Sequence, residues 1–280
     1  MSYECNGANH VSHMPHNSHM PHIPKILHYV WIDFENPSVD APLPEKHLRN
    51  LATCAAINSD YDVRVWNMSA ILGLLNDMPE FDGYAQLLDA FRRSKPITMT
   101  DIARLAILYV HGGVYLDTDI LCVAGLQPLI SGANGADVLL PEASFSFFET
   151  VNNFFIASRP GSDFLLFCLQ NVRPSHHVSL TAGPIFMSRC LNAYRGAGVK
   201  RDVPKSLVAI LPRHLVNPCD VCGSCALDAP FLIHTSSNSW FSGIDAFAIS
   251  LFCHRQVVCI AVVSIVCAIL AFALWRRGSA

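Results

Sequence analysis

Two pairs of side chains in this sequence have the types and spacing for chemistry. Asp117-Thr118-Asp119 places two carboxylates around one residue, directly after the apolar run Val114-Tyr115-Leu116. Asp101 and Arg104 lie three apart and so share one face of a helix. Hard divalent cations take oxygen ligands, commonly one or two carboxylates together with substrate phosphates. An Asp-x-Asp at the exit of a buried strand can hold such a cation against a phosphate. If residues 117–119 continue the strand, both carboxylates point to one side of it. An acid and an arginine on the preceding helix can meet hydroxyls and anionic oxygens in the same cleft.

The elements that must position these residues follow from periodicity. Ile102, Leu105, Ala106 and Tyr109 recur at helical spacing, so a helix starting near Thr98 or Thr100 packs one face on a sheet. Gly112 or Gly113 supplies its left-handed end. Lys25–Ile32 reads as a buried first strand, and Asp62-Val63-Arg64-Val65-Trp66 as a second. Further strands are expected at 114–116, 138–140, 154–157 and 208–211. Helices are expected at 47–57, 70–76 (with Ser69 as cap), 164–172 and 185–194, with helical pieces over 77–97. Strands alternating with helices define an α/β sandwich with a mainly parallel sheet. The carboxylate pair then falls at the carboxyl edge, where such sheets bind ligands.

Composition bounds the rest. The chain has 280 residues, 51% apolar and only 15% charged, with a net charge of −3. That charge gives no electrostatic case for nucleic acid. Residues 257–275 form an uncharged, mostly apolar run, long enough as a helix to cross a bilayer core of roughly 30 Å. His254 and Arg255 precede it, Trp275 closes it, and Arg276 and Arg277 follow, so the flanking charge does not set an orientation. The first 24 residues are polar and histidine-rich, without the apolar segment of a signal peptide. The expected layout is a disordered tail (1–22), one catalytic domain (23–242), a linker (243–256), a transmembrane helix (257–275) and a basic tail (276–280).

Of the eleven cysteines, Cys54, Cys122, Cys168 and Cys190 sit singly in apolar stretches and read as small buried hydrophobes. Cys219, Cys222 and Cys225 are open to a zinc site, a disulfide or free thiols. Asn67-Met68-Ser69 is a glycosylation sequon.

Together, these motifs resemble a glycosyltransferase superfamily with a DXD sugar-binding region. Its members include fungal α-mannosyltransferases, inositol phosphorylceramide mannosyltransferases and large glucosylating bacterial toxins. The resemblance rests first on Asp101-x-x-Arg104 and Gly112-Gly113-Val114-Tyr115-Leu116-Asp117-x-Asp119. The strand from Ile23 to Ile32 with Trp31, and the stretch from Asn58 to Val63 with Trp66, are similar too. Asn153, Ala157–Gly161, Thr181–Pro184 and His234-Thr235-Ser236-Ser237-Asn238-Ser239-Trp240 follow in the family's order, so the resemblance covers about residues 23–242. Thr181-Ala182-Gly183-Pro184 departs from the family's Thr-Gly-Pro by one residue, and the Cys219–Cys225 cluster is foreign to the pattern.

The resemblance implies a GT-A fold, a GDP- or UDP-hexose donor (mannose favoured), Mn²⁺ or Mg²⁺, and retention of anomeric configuration. By position, Trp31 would stack on the base, with Tyr115 and Asn153 also on the donor. Asp101 and Arg104 would hold the sugar, and Asp117 would meet ribose, sugar or a metal-bound water. Asp119 would ligate the metal, His234 or Asn238 would complete its shell, and Trp240 would donate its indole N–H to the diphosphate. A terminal anchor makes a glycolipid of the inositol phosphorylceramide type or a membrane-proximal glycan the expected acceptor, in the Golgi or another endomembrane. The alternatives are a membrane protein that binds a nucleotide sugar without turnover, and a structural membrane protein that assembles through its cysteines.

Overall fold

A computed structural model describes residues 22–143, 150–175, 177–196, 206–216, 231–234, 250–251 and 253–254. The expected membrane span, the Cys219–Cys225 cluster, Asn238 and Trp240 lie outside these residues. No helix among the described residues is long and apolar enough to cross a membrane.

The first half of the chain runs β1 (Ile26–Val30), α1 (Glu45–Ile57), β2 (Asp62–Trp66), α2 (Met68–Asp77), α3 (Tyr84–Arg93), α4 (Pro96–His111), β3 (Gly113–Leu116), β4 (Ile120–Cys122) and α5 (Gln127–Ser131). The second half runs β5 (Val138–Pro141), β6 (Phe155–Ser158), α6 (Asp163–Asn171), α7 (Val178–Thr181), α8 (Pro184–Gly196), β7 (Val208–Leu211), α9 (Arg213–Val216) and β8 (Leu232–His234). Among the described residues, each expected strand and helix forms within a few residues of its expected bounds. The cap of α2 is Asn67, whose side chain accepts from the Ala70 N–H, rather than Ser69. In a separate unit of the chain, Ser250, Leu251 and Cys253 are helical, and the His254 N–H bonds the Ser250 carbonyl at 3.0 Å.

Six strands form one sheet in the order β2-β1-β3-β6-β5-β7. All run parallel except β6, which is antiparallel to both neighbours. Side-chain alternation divides the core into two layers. Tyr115, Val138, Leu140 and Ile156 face a cluster with α4, α6 and α8. Leu27, Tyr29, Val114, Leu116, Leu139 and Phe155 face a second cluster that includes Cys54 of α1 and Leu129 of α5. A short antiparallel ribbon, β4 with β8, stands apart from the sheet and pairs Ile120 with His234.

Cys54 and Cys122 are not separate hydrophobes: they form a disulfide across a separation of 68 residues, joining α1 to β4. In a chain-entropy picture such a loop closure stabilises by about 4 kcal/mol. Cys168 and Cys190 are buried, as expected.

The turn from α4 into β3 needs both glycines. Gly112 and Gly113 have φ of 63° and 95°. A Cβ on Gly112 would come within 2.6 Å of Pro160, and one on Gly113 within 2.8 Å of the Ile26 carbonyl. His28, fully buried in β1, fastens this turn. Its Nε2 lies 2.9 Å from the Gly112 carbonyl and its Nδ1 lies 3.0 Å from the Trp66 indole nitrogen. The indole N–H can only donate, so Nδ1 accepts and Nε2–H donates. Both ring nitrogens are used by the neutral form.

Burial is the main reason the His28 pKa falls from 6.5 to about 4; His111 and Arg64 push the same way, while the Gly112 bond and Asp62 oppose. A lowered histidine pKa gives stability that is fully present above the unfolded value and lost as pH falls toward the folded one. Between pH 7 and pH 5, His28 alone removes about 2 kcal/mol. Urea denaturation at both pH values should show the wild type losing about 2 kcal/mol more than His28→Gln, which has no proton to gain at that position.

Candidate active site

The site forms where α4, β3 and the β4–β8 ribbon meet. Asp101 and Arg104 are in the middle of α4, and both are buried, at 6% and 2% exposure. The Arg104 guanidinium lies between two carboxylates. Its Nη2 is 3.0 Å from Asp101 Oδ1 and 3.2 Å from Asp117 Oδ1. Nη1 donates to the Asn153 carbonyl at 2.6 Å, and Nε to the Thr100 carbonyl at 3.4 Å. The guanidinium Cζ lies over the Tyr115 ring, 4.5 Å from the ring centre. Arginine's planar fork suits this arrangement, in which several fixed acceptors surround one charge.

Tyr115 and Asn153 both lie inside this network. The Tyr115 hydroxyl donates to Asp117 Oδ1 at 2.7 Å, and the Asn153 amide donates to Asp101 Oδ1 at 2.8 Å. The same Asn153 nitrogen is 3.4 Å from the Ala182 carbonyl, so the residue that departs from Thr-Gly-Pro sits beside the network. Burial drives the electrostatics. It raises the Asp101 pKa to about 6, against the pull of Arg104. It also raises Asp117, again with Arg104 opposing. For Arg104 burial works the other way, but the neighbouring carboxylates, Asp117 foremost, outweigh it and raise its pKa.

The two DXD carboxylates do not converge by strand alternation. β3 ends at Leu116, and residues 117–119 form a tight turn closed by the Ile120 N–H on the Asp117 carbonyl at 3.1 Å. The turn, not the pleat, brings the acids together. Asp119 is 8% exposed, and its Oδ1 lies 3.2 Å from His234 Nε2. β8 delivers His234 through its pairing with Ile120, and the imidazole stacks on Phe154 with ring centres 4.8 Å apart. Burial would lower the His234 pKa, but the Asp119 carboxylate more than reverses this, so the net direction is upward.

Ligand atoms of Asp117, Asp119 and His234 all lie within 4.8 Å of one another. Two carboxylates and an imidazole at that spacing fit a divalent cation of the Mn²⁺ or Mg²⁺ type, with the donor set closer to Mn²⁺. Trp31 follows β1 at the same carboxyl edge of the sheet. Its indole nitrogen is buried and has no hydrogen-bond partner among the described residues, and its ring lies 5.3 Å from that of His47.

Two residues that motif reading passes over also touch the turn. His47 Nδ1 and Asn50 Nδ2 each lie 3.1 Å from the Thr118 carbonyl. The signal available in the sequence is their spacing on the face of α1 that also carries Cys54.

The family model for a "glycosyltransferase sugar-binding region containing DXD motif" matches residues 44–136, which bears out the resemblance. The chain is 28% identical over 257 residues to inositol phosphoceramide mannosyltransferase 1 of Schizosaccharomyces pombe, covering 83% of this chain and 73% of that protein. It is 25% identical over 184 residues to inositol phosphoceramide mannosyltransferase 3 of the same organism, covering 61% of this chain and 45% of the relative. Among solved structures, the PaToxG glycosyltransferase superimposes with a TM-score of 0.45 at 18% identity, over 64% of this chain and 72% of that one.

Removing the buried guanidinium leaves two acids without compensation. Arg104→Met should cost about 3–5 kcal/mol. Adding Asp101→Asn should recover part of that loss, because one stranded charge goes with it. Chemical denaturation of the single and double variants measures this, and a double variant no more stable than Arg104→Met would contradict the charge account.

Proposed function

We propose that this chain, which carries the sugar-binding region of the DXD-motif glycosyltransferases, transfers a hexose from a nucleotide-diphosphate sugar to a hydroxyl acceptor. The observation that carries this reading is the convergence of Asp117, Asp119 and His234 at one edge of the sheet, beside the buried Asp101–Arg104–Asn153 network. In this reading the domain is GT-A-like, spans about residues 23–242, and uses Mn²⁺ or Mg²⁺.

Asp119 and His234 hold the cation, with Asp117 beside them. When bound, the cation supplies positive charge to the departing diphosphate. Arg104 and the Tyr115 hydroxyl fix the Asp117 carboxylate, so its free acceptor capacity points to ribose, sugar or bound water. Arg104 and Asn153 both engage Oδ1 of Asp101, which leaves Oδ2 to accept a sugar hydroxyl. Arg104 thus acts by holding carboxylates in place more than by reaching into the cleft. Trp31 offers an aromatic face for the base. Asn238 and Trp240 complete the assignment, as a further metal ligand and as an indole donor to the diphosphate.

Mannose is the favoured sugar, and an inositol phosphorylceramide or a related glycolipid the favoured acceptor. Support comes from the likeness to the two S. pombe inositol phosphoceramide mannosyltransferases and from the apolar run 257–275, read as a membrane anchor. The Cys54–Cys122 disulfide favours a catalytic domain in an oxidising lumen, such as that of the Golgi or another endomembrane.

Two experiments test this reading. Purified protein given UDP- and GDP-sugars with Mn²⁺ should hydrolyse or transfer one of them, and Asp119→Asn should lower that rate at least about a hundredfold. Retained activity with full metal dependence in Asp119→Asn would reject the assignment. Ser69→Ala removes the sequon at Asn67 and spares the Asn67 cap. A luminal domain glycosylated there should lose mass in this variant when made in eukaryotic cells, and the same mass in both would count against glycan at Asn67.

A further inference from the structure

One face of α1 meets the segment that contains the DXD turn at regular intervals. His47 and Asn50 both reach the Thr118 carbonyl, at 3.1 Å each. One turn further along the helix, Cys54 is bonded to Cys122. At the helix end, Asn58 Oδ1 accepts the Leu126 N–H at 2.7 Å, while its Nδ2 donates to the Cys54 carbonyl at 2.9 Å. Positions 47, 50, 54 and 58 form one stripe on an α-helix. Their partners 118, 122 and 126 are evenly spaced along the opposing segment. Cys54, Asn58 and Cys122 are all buried.

The contact at Thr118 matters most. This residue lies between the two acids, and its carbonyl belongs to the peptide that joins it to Asp119. A carbonyl held by two donors cannot rotate freely, so the direction in which the Asp119 side chain leaves the turn is fixed. His47 reaches a second part of the site as well, because its ring packs at 5.3 Å against Trp31.

We propose that α1 is a latch that sets the DXD turn. His47 and Asn50 are positioning residues for Asp119, and the Cys54–Cys122 bridge locks the register of the latch, so the geometry of the cation site depends on the oxidation state of that bridge. Opening the bridge takes two electrons and two protons from an external dithiol reductant and yields two thiols. The proposal rests on the reading of Asp117, Asp119 and His234 as a cation site, and its test separates the two.

The full chain is titrated with Mn²⁺ alone, following the loss of the free-ion electron paramagnetic resonance signal, and its amide hydrogen exchange over residues 117–123 is measured without metal. The variants are Asn50→Leu, His47→Leu, His47→Asn and the pair Cys54→Ala with Cys122→Val. His47→Asn places an amide nitrogen near the position of Nδ1. With the latch intact in the wild type, Asn50→Leu, His47→Leu and the bridge-free pair should bind Mn²⁺ about tenfold more weakly. Each should exchange the 117–123 amides faster, while exchange in β1 and β3 stays at the wild-type rate. His47→Asn should recover most of the affinity, which a merely structural loss would not allow. Wild-type Mn²⁺ affinity in Asn50→Leu and His47→Leu would overturn the latch even if the bridge-free pair fails to fold. A wild type that binds no Mn²⁺ would sink the cation-site reading instead. The exchange data would then decide the latch alone: faster exchange in 117–123 supports it and unchanged exchange overturns it.

Discussion

The site depends on one buried cation. Arg104 sits at 2% exposure between Asp101 and Asp117, over the face of Tyr115. Removing three charges from water is costly unless each is paired and hydrogen-bonded. Here the pairing is met by backbone carbonyls as well as acids: Asn153 and Thr100 take the remaining directions of the guanidinium. One arginine therefore ties a helix (α4), a strand end (β3) and the segment before β6 into a single unit. Its charge offsets only part of the acidic charge around it. The surplus lies toward Asp119 and His234, at the edge of the sheet.

The two layers flanking the sheet contribute different things to that edge. α4, on one side, supplies Asp101 and Arg104 and leads directly through the glycine turn into β3. α1, on the other side, supplies donors to the Thr118 carbonyl and a covalent bond to β4. The DXD turn is thus held from both faces. A turn lacks the ladder of bonds that fixes a strand, so restraint of this kind is what gives its side chains a direction.

Much of this was legible in the sequence because the signals are local. The alternation of 62–66, the helical spacing of 102–109 and the paired glycines each depend on neighbouring residues, and each element formed as expected. Asp101 and Arg104 could be placed on one helix face for the same reason. What could not be read depends on contacts distant in sequence. β4 and β8 are three residues each and far apart, too short to show a period. The partner of Cys54 is set by how α1 lies over β4, which no spacing reveals. The strand was expected to stop at Leu116, as it does, but nothing local showed that residues 117–119 turn rather than continue its alternation. Arg104 reads as a ligand-facing cation from its type, and only the folded environment shows how fully protein groups surround it.

The β4–β8 ribbon has a consequence for how the molecule comes into being. His234 meets Asp119 across a large separation in sequence, since β8 follows β7 in sequence but pairs with a segment just after β3. Contacts of such large sequence separation form late, because the loop they close must first be organised. The six-stranded sheet contains no residue of β8, so its topology can be complete while the imidazole is still absent from the acids. The gathering of Asp117, Asp119 and His234 therefore waits on the pairing of β4 with β8 rather than on the six-stranded sheet.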